Sequence, residues 1–159
     1  EESDWGDRLY CYNATFKEFA DELAEEEETY DLIVSNPPFY TDDYKSENEA
    51  RNKARFTSSL SFEDLITGVS KILSEKGIFS VIIPFKEIEN FTSLAKNQGL
   101  CLNRICNVKG NSETAIKRSL LEFSFLQLEL KKEHLTIETD RHHYTEAYIN
   151  LTKDFYLKM

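Results

Sequence analysis

Tyr30-Asp31-Leu32-Ile33-Val34-Ser35-Asn36-Pro37-Pro38-Phe39-Tyr40 is the stretch on which the fold of this chain turns. Residues 30–35 make a near-continuous apolar run of strand length. That is the pattern of a parallel-sheet strand covered by helices on both faces. Two prolines then end it. Proline fixes φ, lacks an N–H and pushes the preceding residue into extended backbone, so Asn36 leaves the strand on a stiff path. Open α/β sheets bind ligands at the carboxyl ends of their strands, which is where Asn36 is expected.

That exit offers two acceptors, the Asn36 side-chain oxygen and the Pro37 carbonyl, to an exocyclic NH₂ with its two donors. Phe39 adds a ring that stacks on the ring bearing the amino group. Pro38 fixes the geometry. A ring-conjugated amino nitrogen is a poor nucleophile because its lone pair is delocalised. Holding both its hydrogens favours a pyramidal nitrogen whose lone pair aims at a methyl sulfonium. Positioning and electrostatics then do the work, and no ionisable base is required. Taken alone, Pro-Pro is usually a rigid turn; its place after an apolar strand and before a polar loop and a helix favours the functional reading.

Upstream, Arg8–Asn13, with Leu9, Cys11 and aromatic neighbours, is expected to form a short strand. Phe16–Leu23, apolar at 16, 19, 20 and 23, is expected to form a helix closed by the acidic run Glu25–Glu28. Residues 36–60 are polar and aperiodic and read as a long loop, a length usually reserved for function or disorder. Ser61, with Asp64 three residues on, marks the start of a helix carrying Phe62, Leu65, Ile66, Val69, Ile72 and Leu73 inward. Lys76-Gly77 is expected to stop it. Ile78–Ile83 reads as a strand ended by Pro84, Glu87–Asn97 as a helix ended by Gly99, and Leu100–Val108 and Leu120–Leu130 as strands. No helix joins the last two, which predicts an antiparallel pair at the sheet edge. The order gives an α/β fold, Rossmann-like, with a mostly parallel sheet. The tail, His143–Met159, reads as an amphipathic segment folding back on the domain.

At 159 residues, 40% of them hydrophobic and including 11 Phe and 8 Tyr, the chain has the size and core of one domain. No apolar run approaches the roughly 20 residues of a membrane span, and the first residues lack a secretory pattern. Cys11, Cys101 and Cys106 are odd in number and form no Cys-x-x-Cys, so core-like reduced thiols in a cytoplasmic protein are expected. His142-His143 beside Asp140 have no third ligand near them and, on a strand, would face opposite ways, so no metal is expected. The net charge of −10 opposes phosphate binding as a whole. Local clusters count for more: Arg51, Lys53 and Arg55 just past the Pro-Pro site, and Lys109, Lys117 and Arg118, each read equally as a phosphate contact or as an ordinary solvated face. Arg55 either meets substrate phosphate or pairs with Asp42, Asp43 or Glu47. Tyr40 and Tyr44 either stack on RNA bases or pack the loop.

On these residues the chain resembles class I S-adenosylmethionine-dependent methyltransferases acting on amino groups. It is most similar to the bacterial tRNA1(Val) adenine-N6 methyltransferase family, which methylates the adenine 3′ of the anticodon. Ser3-Asp4-Trp5-Gly6-Asp7-Arg8-Leu9, Asn36-Pro37-Pro38-Phe39, Ala54-Arg55-Phe56-Thr57 and Gly77–Pro84 carry the resemblance, with Lys117-Arg118, Leu120-Leu121 and Leu151–Lys158. The resemblance implies catalytic roles for Asn36, Pro37, Pro38 and Phe39. It implies S-adenosylmethionine contacts for Thr15, Phe16 and Asn36, and tRNA contacts for Tyr40, Arg51, Lys53, Arg55, Lys117 and Arg118. Thr15 serves equally well as a helix cap.

The family's Gly-rich loop and ribose-binding acid are absent, since Gly6, Gly68, Gly77, Gly99 and Gly110 form no Gly-x-Gly. The resemblance therefore implies that residues 1–159 are the C-terminal part of one methyltransferase domain: strand-helix-strand over 1–35, substrate loop over 36–60, αβαββ over 61–130 and tail over 131–159. Roughly 60–80 residues are expected upstream, with two strands that belong between Arg8–Asn13 and Tyr30–Ser35. Such a chain is expected to bind cofactor weakly or not at all, and to self-associate through exposed sheet edges. The residues leave open rRNA guanine N2 or protein glutamine N5 as acceptor, and also a non-catalytic interaction module.

Overall fold

The computed structural model describes residues 4–38 and 60–156. Most of the expected substrate loop, residues 39–59, lies outside the described residues. β1 (Tyr30–Ser35), β2 (Leu73–Pro84), β3 (Cys101–Lys109), β4 (Arg118–Ser124) and β5 (Lys131–Thr136) form one sheet in the order β1-β2-β4-β3-β5. β1 pairs parallel to β2, and β3 parallel to β5. β4 runs antiparallel to both its neighbours, β2 and β3. Four of the five strands therefore share one direction, as the sequence led us to expect. The antiparallel pair β3–β4 is present but interior, because β5 adds to the outer side of β3.

α1 (Phe16–Glu25), α2 (Phe62–Ile72) and α3 (Ile88–Asn97) lie on one face. The β2–β4 register puts Phe79, Val81, Ile83, Leu121 and Phe123 on that face, where Leu65, Ile66 and Val69 of α2 and Phe91 and Ala95 of α3 meet them. All are buried, and each large side chain contributes about 1.5–3 kcal/mol by leaving water. Ala20 and Leu23 of α1 pack on Ile72, with Ile33 of β1 beside them. The Phe16 ring presses onto Gly68, a position where a Cβ would collide with it. Thr15 caps α1 in a full capping box with Glu18, and the Ser61 side chain accepts from Asp64 N–H at 3.0 Å to start α2. Gly99, at φ +79°, ends α3.

Several expectations are corrected. Arg8–Asn13 forms no strand: a turn on the Trp5 carbonyl precedes it, and Leu9, Tyr10 and Tyr12 are exposed. Extended chain becomes a strand only by exchanging hydrogen bonds with a neighbour, and no described strand pairs with it. α2 ends at Ile72, not at Lys76-Gly77. Leu73 turns extended at φ −81° and ψ 129° and pairs with Tyr30, so Gly77 lies inside β2. The expected strand Leu120–Leu130 stops at Ser124. There the Asn103 side chain donates to the Ser124 hydroxyl and the Leu126 carbonyl and accepts from Leu128 N–H, turning the chain aside. β5 falls within the segment read as tail. Cys11 is exposed, and Cys101 and Cys106 are half-buried free thiols.

The largest correction concerns the second face of the sheet. Helices were expected on both faces, yet among the described residues only α4 (Glu146–Thr152) packs opposite α1–α3, against β5. Leu32 and Val34 of β1 are 60% and 72% exposed there, with Ile78 and Leu120 partly open beside them.

Candidate active site

β1, β2, β3 and β5 all end on one rim of the sheet, where β4 begins. That rim gathers Asn36-Pro37-Pro38 after β1, Phe85 after β2, Lys109-Gly110 after β3, and Lys117-Arg118 entering β4. The Phe85 N–H donates to the Lys117 carbonyl at 3.0 Å, which ties two of these exits together. Asn36 is exposed, Pro37 buried and Pro38 exposed. Burial of Pro37 anchors the turn while leaving the residue before it in solvent. No described residue hydrogen-bonds the Asn36 amide, so both its polar atoms are open.

Asn36 lines a cleft of about 610 Å³ on the open face of the sheet. Val34, Ile82, Leu120 and Cys106 floor it, and Ala147 and Leu151 of α4 form a wall. At its other end Arg104 spans three strands, donating to Glu133 at 2.8 Å and to Glu122 at 3.1 Å. Burial pushes the Cys106 thiol above its ordinary pKa, and the Glu133 carboxylate adds to that, so Cys106 is a poor nucleophile. A mostly apolar cleft with one open amide at its edge suits a flat ring held by one polar group. Sequence reading missed the cleft walls. Alternation along β3 and β4 places Arg104, Cys106, Leu120 and Glu122 on one face, but that face had been assigned to helix contacts.

Thr15 and Phe16 are both occupied structurally. The Thr15 hydroxyl donates to Glu18 at 2.7 Å and accepts from its N–H, and the Phe16 ring is spent on Gly68. The contacts Phe16–Gly68 and Leu23–Ile72 align α1 with α2, which keeps Thr15 toward the rim. Of the expected RNA contacts, Lys117 and Arg118 are exposed on the rim. Phe39, Tyr40, Arg51, Lys53 and Arg55 lie outside the described residues. Among the described residues no three metal-binding side chains converge, and no helix is long and apolar enough to cross a membrane.

Curated proteins match the chain along its whole length. The tRNA1(Val) (adenine(37)-N6)-methyltransferase of Flavobacterium johnsoniae is 52% identical over 160 residues, covering 100% of this chain and 67% of that protein. The chain belongs to the tRNA1(Val) (adenine(37)-N6)-methyltransferase family. The family's proteins from Christiangramia forsetii and Bacteroides fragilis are 48% and 40% identical, with 66% and 65% of their lengths covered. The chain thus spans about two thirds of the length of the relatives it matches. No family profile matches it. Its fold is similar to a predicted O-methyltransferase from Agrobacterium tumefaciens, with a TM-score of 0.54 at 19% identity over 79% of this chain and 52% of that one. The Asn36-Pro37-Pro38 strand exit and the open Asn36 amide thus lie at one place on a fold similar to that of this methyltransferase.

Proposed function

We propose that this chain belongs to a cytoplasmic enzyme that transfers a methyl group from S-adenosylmethionine to the exocyclic N6 of an adenine in tRNA. The observation that carries the reading is the Asn36 amide, open and unengaged at a proline-stiffened strand exit that edges the cleft. The Asn36 oxygen and the Pro37 carbonyl take the two amino hydrogens, and Phe39 stacks on the base. This holds the nitrogen lone pair toward the methyl donor and away from the ring. S-adenosylmethionine, when bound, supplies the methyl group. The described residues do not by themselves build its pocket, because Thr15 and Phe16 are engaged within the fold and Asn36 is the open polar contact. Most cofactor contacts are therefore assigned to the part of the family-length protein that this chain does not include. Residues 1–159 then act as the substrate-side part of one domain, with Arg51, Lys53, Arg55, Lys117 and Arg118 on the tRNA backbone and Tyr40 against its bases. The face that the described residues leave open, and the edge of β1 that no described strand pairs with, also make the isolated chain prone to pair with a second copy.

Methyl transfer to tRNA, rRNA and release factor by the family-length enzyme tests the reading. Label on tRNA adenine alone supports it. Label on rRNA guanine or on a protein glutamine replaces it.

A further inference from the structure

The chain does not stop at the rim. From β5 it continues into a hairpin of β6 (Glu138–Asp140) and β7 (His143–Tyr144), with Arg141-His142 as its two-residue loop. The base of the hairpin is fastened to the rim. Ile137 and Glu138 donate their N–H groups to the Lys109 and Gly110 carbonyls at 3.0 and 2.8 Å. Thr145 donates its N–H to the Ile137 carbonyl at 2.9 Å and its hydroxyl to the Thr136 carbonyl at 2.6 Å, while that hydroxyl also caps α4 by accepting from Tyr148 N–H. The hairpin is thus an extension of the surface that carries Asn36, Lys109, Lys117 and Arg118.

Its loop passes through left-handed backbone. His142 sits at φ +66°, where glycine or asparagine would rest at lower cost. Histidine is among the non-glycine residues that enter this region more readily, so the turn presents the imidazole outward at modest cost. Arg141, His142, His143 and Tyr144 are all exposed. No described carboxylate lies within ion-pair distance of Arg141, in contrast to Arg104, which is held by two. The Tyr144 ring packs on Tyr148 at 5.2 Å between centroids, which stiffens it while it stays open to solvent.

We infer that this hairpin tip is a second RNA contact, resting on the tRNA reading above. Arg141 meets backbone phosphate, the imidazole of His142 hydrogen-bonds beside it, and Tyr144 stacks on an unpaired base away from the methylated adenine. A cation and a braced aromatic ring on one exposed tip are the pair with which proteins hold single-stranded loops. The cations of this surface are Lys109, Lys117 and Arg118 on the rim and Arg141 at the tip, with Glu138 and Asp140 on the hairpin itself setting an opposing charge that confines phosphate to the Arg141 side.

The test uses the family-length enzyme, a fluorescent tRNA anticodon stem-loop and anisotropy across a salt series. Arg141→Ala with His142→Gly is expected to weaken binding about tenfold and to make the salt dependence shallower by roughly one contact. Because glycine relieves the φ at 142, the melting temperature is expected to hold or rise, which separates lost contact from lost fold. Tyr144→Leu is expected to weaken binding without changing the salt slope. If the parent binds the stem-loop and the Arg141/His142 variant binds equally well with the same slope, the hairpin assignment is wrong and the tRNA reading stands. If the parent binds no tRNA, both fall together.

Discussion

The Tyr30 carbonyl oxygen lies so close over Gly77 that a Cβ at Gly77 would sit 2.9 Å from it, and 2.7 Å from the Leu73 side chain. β1 and β2 can approach through the bulge between Tyr30 and Leu32 only because residue 77 has no side chain. Gly77→Ala is expected to cost about 1–3 kcal/mol, the scale of overpacking a filled site. Urea unfolding reads this directly, and an unchanged midpoint would show that β1 shifts freely.

Asp21 bridges Lys17 of its own helix and Lys71 of α2. The hydrogen bond from Lys17, then that from Lys71, lowers its carboxyl from an ordinary 3.8 to about 2. A depressed acid stabilises the fold above its unfolded pKa, and that contribution fades as pH falls through the folded one. The stability gap between the parent chain and Asp21→Asn should therefore be full near neutrality and close between pH 3.8 and about 2. Melts over that range that keep a constant gap would contradict the bridge.

If Asn36 holds the amino group in flight, Asn36→Ala in the family-length enzyme should lower turnover about 10²–10³-fold, as loss of one preorganised polar contact does. Affinity for S-adenosylmethionine, measured by titration calorimetry, should change far less. Equal loss in both would move Asn36 from the acceptor to the cofactor.

Leu32 and Val34 stand 60% and 72% exposed on the face that the described residues leave open opposite α1–α3. The 159-residue chain should self-associate in sedimentation experiments, and Leu32→Lys with Val34→Lys should return it to monomer. A parent chain that sediments as a monomer at every concentration would remove this expectation.

Where one residue type had one job, the fold was legible in the sequence. Ser61 could only begin α2, Gly99 only end α3, and Pro37-Pro38 only end β1. Legibility failed where two jobs share a signal. Gly77 follows a helical run, yet it serves a close strand contact, not a helix stop. Lys131–Thr136 is too polar to announce a strand, because an edge strand needs backbone partners more than apolar side chains. The even-numbered residues of β3 and β4 looked like a second helix-covered face and instead line the cleft. Of the candidate residues, Asn36, Pro37, Pro38, Lys117 and Arg118 lie along one rim of the sheet, while the hairpin Arg141-His142 carries only the signature of a solvated turn in the sequence.

β4 runs against both of its neighbours, and that has a bearing on the order in which the sheet comes apart. Both of its ladders are antiparallel, the sturdier geometry, and they join it to β3 across a short connection. Among the described strands, β1 is tied by a single parallel ladder to a partner reached only after a long excursion of the chain. Amide protons of β4 should then be the last to exchange with deuterium and those of β1 among the first of the sheet. Among the described strands, the one that delivers Asn36 is held more lightly than the interior β4, so within this chain the candidate amide sits away from the firmest part of its platform.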